Sequence, residues 1–134
     1  MTFFDTNVLV YFTIVQDEQK FDLARQYIAE AIEQDHLMIS PMVMSEYIFV
    51  LSRFKIEKQH RDKIDYFSQF LHASIDKTVT LQAWELCQQI NFCRNINDAI
   101  HLKTAEAHCD KLVTFDRDFK RFIPHTSLEI EILN

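Results

Sequence analysis

No glycine occurs anywhere in the 134 residues of this chain, where average usage of about 7% would place roughly nine. The absence removes whole architectures. The phosphate loop and the dinucleotide-binding fingerprint both need glycines where the backbone closes on a phosphate, so neither is available. Any anion site must be built from side chains, helix N-termini or metal ions.

What the chain offers instead is a strand that ends in an acid. Thr2-Phe3-Phe4 stops at Asp5, followed by Thr6-Asn7 and the apolar Val8-Leu9-Val10-Tyr11. This reads as a buried strand delivering Asp5 at its C-terminal end, with a helix starting at Thr6 or Asn7. Asp5 then has two readings. It caps that helix, or it marks chemistry, which in open α/β sheets sits just outside the carboxyl ends of the strands.

The rest of the chain repeats the alternation. A helix is expected at Asn7–Thr13, then a polar break at Gln16–Lys20 and a helix over Phe21–Gln34 with Leu23, Tyr27, Ile28, Ala31 and Ile32 on one stripe. Leu37–Ile39 reads as a short buried strand, and Ser40-Pro41 as the N-cap and first residue of the next helix. Glu46 lies about a turn inside that helix. A charged stretch, Arg53 to Lys63, carries a net +3, and a helical stripe resumes at Ile64, Phe67, Phe70 and Leu71. Ile75–Leu81 is expected to hold a strand, Ala83–Cys93 a helix, Arg94–Asn97 a loop and cap, and Asp98–His108 a helix. Leu112–Thr114 reads as a strand, Phe115–Phe122 as a helical turn and Leu128–Ile132 as a last strand. This order predicts one domain over residues 1–134: an α/β, three-layer α/β/α sandwich around a central, mainly parallel sheet of about five strands.

In a parallel sheet, Asp5, Glu46, Asp98, Asp116 and Asp118 all fall at the carboxyl edge. Twenty acids scattered at random would seldom favour one edge. Bare carboxylates sharing a small site repel one another and raise each other's pKa; a divalent cation removes the conflict. Oxygen ligands suit Mg²⁺ or Mn²⁺ rather than zinc, and Cys87, Cys93, His101, His108 and Cys109 lack the close-pair spacing of zinc sites. Carboxylate-held metal, without a phosphate loop or a nucleophilic Ser or Cys arrangement, points to phosphodiester hydrolysis. The formal net charge of −6 argues against passive nucleic-acid binding but agrees with such a cluster.

Four short motifs in series, Phe4-Asp5-Thr6-Asn7, Ser45-Glu46, Asn97-Asp98-Ala99-Ile100 and Thr114-Phe115-Asp116-Arg117-Asp118-Phe119, give the chain its resemblance to the PIN-domain ribonucleases. Within them it is most similar to the small VapC-like toxins of type II toxin–antitoxin pairs. The resemblance implies a metal-dependent endoribonuclease in which Asp5, Glu46, Asp98 and Asp116 hold Mg²⁺ or Mn²⁺. Thr6, Asn7 and Thr114 orient those carboxylates by hydrogen bonds, and Asp118 is a secondary acid. It further implies a transfer or ribosomal RNA substrate, an antitoxin that plugs the groove, and a homodimer. The missing glycines leave the four acids untouched but make loop conformations hard to transfer.

The remaining expectations concern surroundings. Arg94, Lys103 and Arg117, with Lys120 and Arg121, are candidate phosphate contacts; the Arg53–Lys63 stretch reads as a solvated helix face or an RNA guide. His101, one turn from Asp98, reads as a packed residue or as one that touches substrate or the metal's surroundings. No apolar run is long enough for a membrane span, no signal peptide is evident, and three cysteines without a disulfide framework suit a cytoplasm. Two rivals stand beside the nuclease. A haloacid-dehalogenase-like phosphatase would use Asp5 as nucleophile, but wants an acid where Asn7 stands. A catalytically silent PIN-like binding module has no physical reason to keep four mutually repelling acids.

Overall fold

The apolar triplet Thr2–Phe4 forms β1, with Phe3 and Phe4 fully enclosed. The computed structural model describes residues 1–91 and 93–134. β1 is followed by α1 (Thr6–Thr13), α2 (Glu18–Glu33), β2 (Leu37–Met38), α3 (Pro41–Arg53), α4 (Arg61–Ser68), α5 (Lys77–Gln89), α6 (Ile96–His108), β3 (Lys111–Thr114) and β4 (Glu129–Ile132). Short 3₁₀ turns lie at Cys93–Asn95, Arg117–Arg121 and Ile123–His125. All strand pairs are parallel, in the order β2-β1-β3-β4. Helices cover the sheet in the α/β/α arrangement: α1 packs against α2 and α3, α3 against α4, and α5 against α6.

Sequence chemistry explains most boundaries. Asp5 caps α1 by accepting from Thr6 N–H at 2.7 Å. Asp17 caps α2 by accepting from Lys20 N–H, which starts this helix three residues before the apolar stripe suggested. Ser40 accepts from Val43 N–H with Pro41 at the first position of α3, as read from the sequence. The expected strand at Ile75–Leu81 is instead the start of α5. Asp76 accepts from Val79 N–H at 2.9 Å, and Val79, Ala83, Leu86 and Cys87 form one buried stripe. Capping and a four-residue period outweighed the β-branched Thr78-Val79-Thr80, so among the described residues the sheet has four strands rather than about five, extended by a single bridge between Ile39 and Leu71. The helix expected through Cys93 ends at Gln89; Phe92, inside that expectation, lies outside the described residues. α6 begins at Ile96, so Asp98 falls in its first turn.

The missing glycines are replaced at helix ends. Asp35, Lys55 and Asn91 take φ of 58°, 57° and 53°, each one residue past the C-cap of α2, α3 and α5. At α2, Asp35 N–H bonds Ile32 C=O at 3.1 Å and His36 N–H bonds Ala31 C=O at 2.7 Å; Lys55 and Ile56 repeat the pattern on Ser52 and Leu51 at 3.0 Å each. These are the paired bonds of a left-handed helix stop. Asp and Asn tolerate that conformation; at Lys55 it costs roughly 1 kcal/mol relative to glycine.

Candidate active site at the carboxyl edge

β1 lies between β2 and β3, so the chain leaves β1 towards one neighbour and later returns to its other side. Ligand crevices in parallel sheets open at such a reversal, and here it falls between Asp5, after β1, and Thr114, ending β3. A cleft of about 350 Å³ opens there, lined by Asp5, Glu46, Asp98 and Asp116 with Thr6, Asn7, Val10, Tyr11, Gln16 and Val50. The four acids expected from the sequence thus meet on one surface.

Asp5 is held on every side. Its Oδ1 accepts from Thr6 N–H at 2.7 Å, and its Oδ2 accepts from Thr114 Oγ1 at 2.7 Å and Asn7 Nδ2 at 3.2 Å. Thr114 Oγ1 also accepts from Asn7 Nδ2 at 3.2 Å and Asp116 N–H at 3.0 Å, which uses its one donor and both lone pairs. Asn7 Oδ1 accepts from Phe115 N–H at 3.0 Å. Asn7 is therefore a brace between β1 and the β3 loop, an amide with its hydrogen bonds committed rather than the free acid an aspartyl phosphatase needs. Asp116 Oδ1 accepts from Asp118 N–H at 2.9 Å. Asp118 itself is exposed, does not line the cleft, and takes a bond from Asn95 Nδ2 at 3.5 Å.

His101 is the residue whose place the sequence left open. It is fully buried on α6, against the Phe3 ring at 5.8 Å. Its Nε2 meets Glu46 Oε1 at 2.6 Å and lies 3.8 Å from Asp5 Oδ1. With Glu46 ionised, the Nε2–H donates and ties the α3 acid to α6. The signal available in the sequence was its position three residues after Asp98, on the same helix face.

Charge is unbalanced here. Burial, then the neighbouring Asp5 and Asp116 charges, push the Asp98 carboxyl up to about 7. Burial also raises Asp5, although His101, Thr114 and Thr6 N–H oppose it. For His101, burial favours the neutral ring, but the hydrogen bond to Glu46 and the charges of Asp5, Glu46 and Asp98 outweigh it and raise the pKa.

The donor set is all oxygen, and Thr6 Oγ1, a buried atom of a residue lining the cleft, has no hydrogen-bond partner among the described residues. Among those residues no three His, Cys, Asp or Glu side chains stand together closely enough to hold a metal ion on their own. An all-oxygen donor set is of the kind that hard divalent cations take. Cys87 is buried, Cys93 exposed and Cys109 half-buried, and none of the three is in a disulfide.

The expected cations divide. Arg117 is exposed beside Asp116, and Arg94 is exposed in the 3₁₀ turn before α6. Lys103 is not brought to the cleft. It pairs with Glu106 at 3.0 Å and lines a different hollow with Asp110 and Thr126, because α6 runs away from the carboxyl edge and five residues carry Lys103 about 7.5 Å along it. Among the described residues no helix is long and apolar enough to cross a membrane.

The family model of the PIN domain matches residues 2–123. The chain is 26% identical to Ribonuclease VapC2 of Methanocaldococcus jannaschii over 137 aligned positions, covering 89% of this chain and 87% of that one. The crystal structure of VapBC2 from Rickettsia felis, bound to a DNA fragment from their promoter, has a chain that superposes with a TM-score of 0.71. That match is 21% identical and covers 99% of this chain and 98% of the other.

Proposed function

The chain belongs to the PIN domain family, and from that premise we propose that it is a Mg²⁺- or Mn²⁺-dependent endoribonuclease, the toxin of a type II toxin–antitoxin pair. The observation that carries the reading is the meeting of Asp5, Glu46, Asp98 and Asp116 on one cleft whose lining residues include no cation. The similarity to a protein named as a ribonuclease and to a toxin–antitoxin assembly supports the same direction. RNA, transfer or ribosomal, is the substrate; a cognate antitoxin is the partner, a homodimer the working assembly and the cytoplasm its place.

Asp5, Glu46, Asp98 and Asp116 are the groups that would hold the ion. When bound, it supplies Lewis acidity at a phosphoryl oxygen and lowers the pKa of the attacking water. The chain does the positioning. Thr6 N–H, Asn7 and Thr114 fix the Asp5 carboxylate in one orientation, and His101 does the same for Glu46. Such preorganisation saves the reorganisation that a flexible site would need at the moment of reaction. Val10 and Val50 give the cleft apolar walls, which strengthens each charge interaction inside it.

The test is cleavage of total RNA by purified protein with Mg²⁺, Mn²⁺ or EDTA, beside Asp5→Asn. Discrete fragments that need the metal and vanish in the variant are expected; their ends identify the target. Growth arrest on expression of the chain alone, lifted by Asp5→Asn, tests the toxin role. Fragments that persist in EDTA would overturn the metal assignment.

A further inference from the structure

The carboxyl-edge cleft has to receive an anionic phosphodiester, yet its lining residues offer four acids and no lysine or arginine. We propose that Lys20, seated on the Tyr11 ring at the rim of this cleft, forms a phosphate subsite for an RNA strand; the inference rests on the nuclease reading above.

Tyr11 is itself part of the cleft wall. The Lys20 ammonium stands 5.1 Å from the Tyr11 ring centroid and 6.0 Å from that of Phe115. The two rings pack 4.8 Å apart and form one platform. The platform is anchored to the site, because Phe115 directly precedes Asp116 and its N–H is bonded to Asn7 Oδ1 at 3.0 Å. Lys20 is half-buried, in the first turn of α2, where its N–H bonds the capping Asp17.

What sets Lys20 apart is its aromatic seat beside the cleft, combined with the lack of a carboxylate partner among the described residues, which it shares with Lys55, Lys58, Lys77 and Lys120. Lys103 is held by Glu106 and Lys111 by Glu129 and Glu131, whereas none of the ion pairs among the described residues includes Lys20. Aromatic faces stabilise a cation without supplying an oxygen acceptor, so the ammonium keeps hydrogen-bond capacity for a phosphate oxygen. A cation beside an aromatic platform is also the combination that single-stranded nucleic acid favours. The subsite offsets, at the rim, the repulsion that the acids exert on the strand.

The test is binding of a short fluorescein-labelled single-stranded RNA of mixed sequence, in Mg²⁺ over a range of salt. An Asp98→Asn protein, chosen so that the probe stays intact, is compared with the same protein carrying Lys20→Gln or Lys20→Met. Met keeps an apolar stem on the rings, so a packing defect does not imitate loss of charge. Both variants are expected to bind about fivefold more weakly, with the salt slope reduced by about 0.7, the value for one phosphate contact on a single strand. Affinity within twofold of the parent and an unchanged slope, in variants that unfold at the parent's temperature, would overturn the subsite. Wild-type cleavage of total RNA is run in parallel. Its failure would remove the nuclease reading, while the binding series still decides whether Lys20 meets phosphate.

Discussion

Two hollows in this molecule, each lined by acids, differ in a way that size does not predict. The larger, about 470 Å³, lies between α6 and the segment before β4; the smaller, about 350 Å³, is the carboxyl-edge cleft. In the larger one charges are answered locally. Lys103 pairs with Glu106 at 3.0 Å, Thr126 Oγ1 donates to Glu106 at 2.8 Å, and the chain's own amino terminus meets Asp110 at 3.1 Å. In the smaller one four acids share a single buried imidazole; burial raises the pKa of Asp5 and Asp98, and at Asp98 the neighbouring Asp5 and Asp116 charges add to it. Exposed, neutralised pairs contribute little, whereas clustered acids with perturbed pKa values in a cleft are characteristic of functional sites. Charge imbalance, not volume, marks the site.

The sharpest way to break this comparison is to exchange single oxygens for amides on the two sides. Asp98→Asn or Asp5→Asn should lower RNA cleavage by about 10²–10³ or more, the range for losing one preorganised electrostatic group. Glu106→Gln should leave the rate within twofold. Equal effects in both hollows would show that imbalance is no guide to function.

Removing the histidine tie comes next. His101→Leu should weaken Mn²⁺ binding about 10–100-fold, as for other groups that orient metal-holding side chains. His101→Gln, which retains a donor towards Glu46, should recover part of it; calorimetric titration with Mn²⁺ reads both. If Leu and Gln behave alike, the histidine matters for packing alone.

A pH series on the metal-free protein sharpens the electrostatic half. The folded pKa of Asp98, about 7, lies above the ordinary value of 3.8. Between those limits the folded state binds more protons than the unfolded one. The contribution of Asp98 therefore favours the fold below about pH 4 and is lost as pH rises through 7. Asp98→Asn should stabilise the metal-free protein more at pH 8 than at pH 5, read from denaturation midpoints. A difference independent of pH would mean that Asp98 carries no such burden.

The smallest effect is expected at Lys103. Spent on Glu106 and remote from the cleft, Lys103→Gln should change the KM for RNA by less than twofold. A clear rise would return Lys103 to the substrate path that the sequence suggested.

Legibility followed the range of the physics involved. Helix starts at Asp5 and Ser40 could be read because a cap acts on an N–H within three residues. Ile75–Leu81 was misread because β-branched residues there imitate a strand, while the Asp76 cap and the buried face of α5 made it helical. Lys103 was placed by its nearness in sequence to Asp98, although a helix separates by axial rise as well as by face. Lys20, 78 residues before Asp98 and 96 before Asp116, carried no signal at all until Tyr11 and Phe115 came together.

By itself, then, the sequence determined most of the alternation of strands and helices, the acids that follow β1 and β3, and the exclusion of glycine-built phosphate loops, since these depend on local pattern and residue chemistry. Only the tertiary structure decided that β1 would sit between β2 and β3, that His101 would answer Glu46 across two helices, that Lys103 would pair with Glu106 away from the cleft, and that Lys20 would rest on the rings of Tyr11 and Phe115. Those outcomes depend on which surfaces bury one another, a long-range choice that no window of neighbouring residues contains.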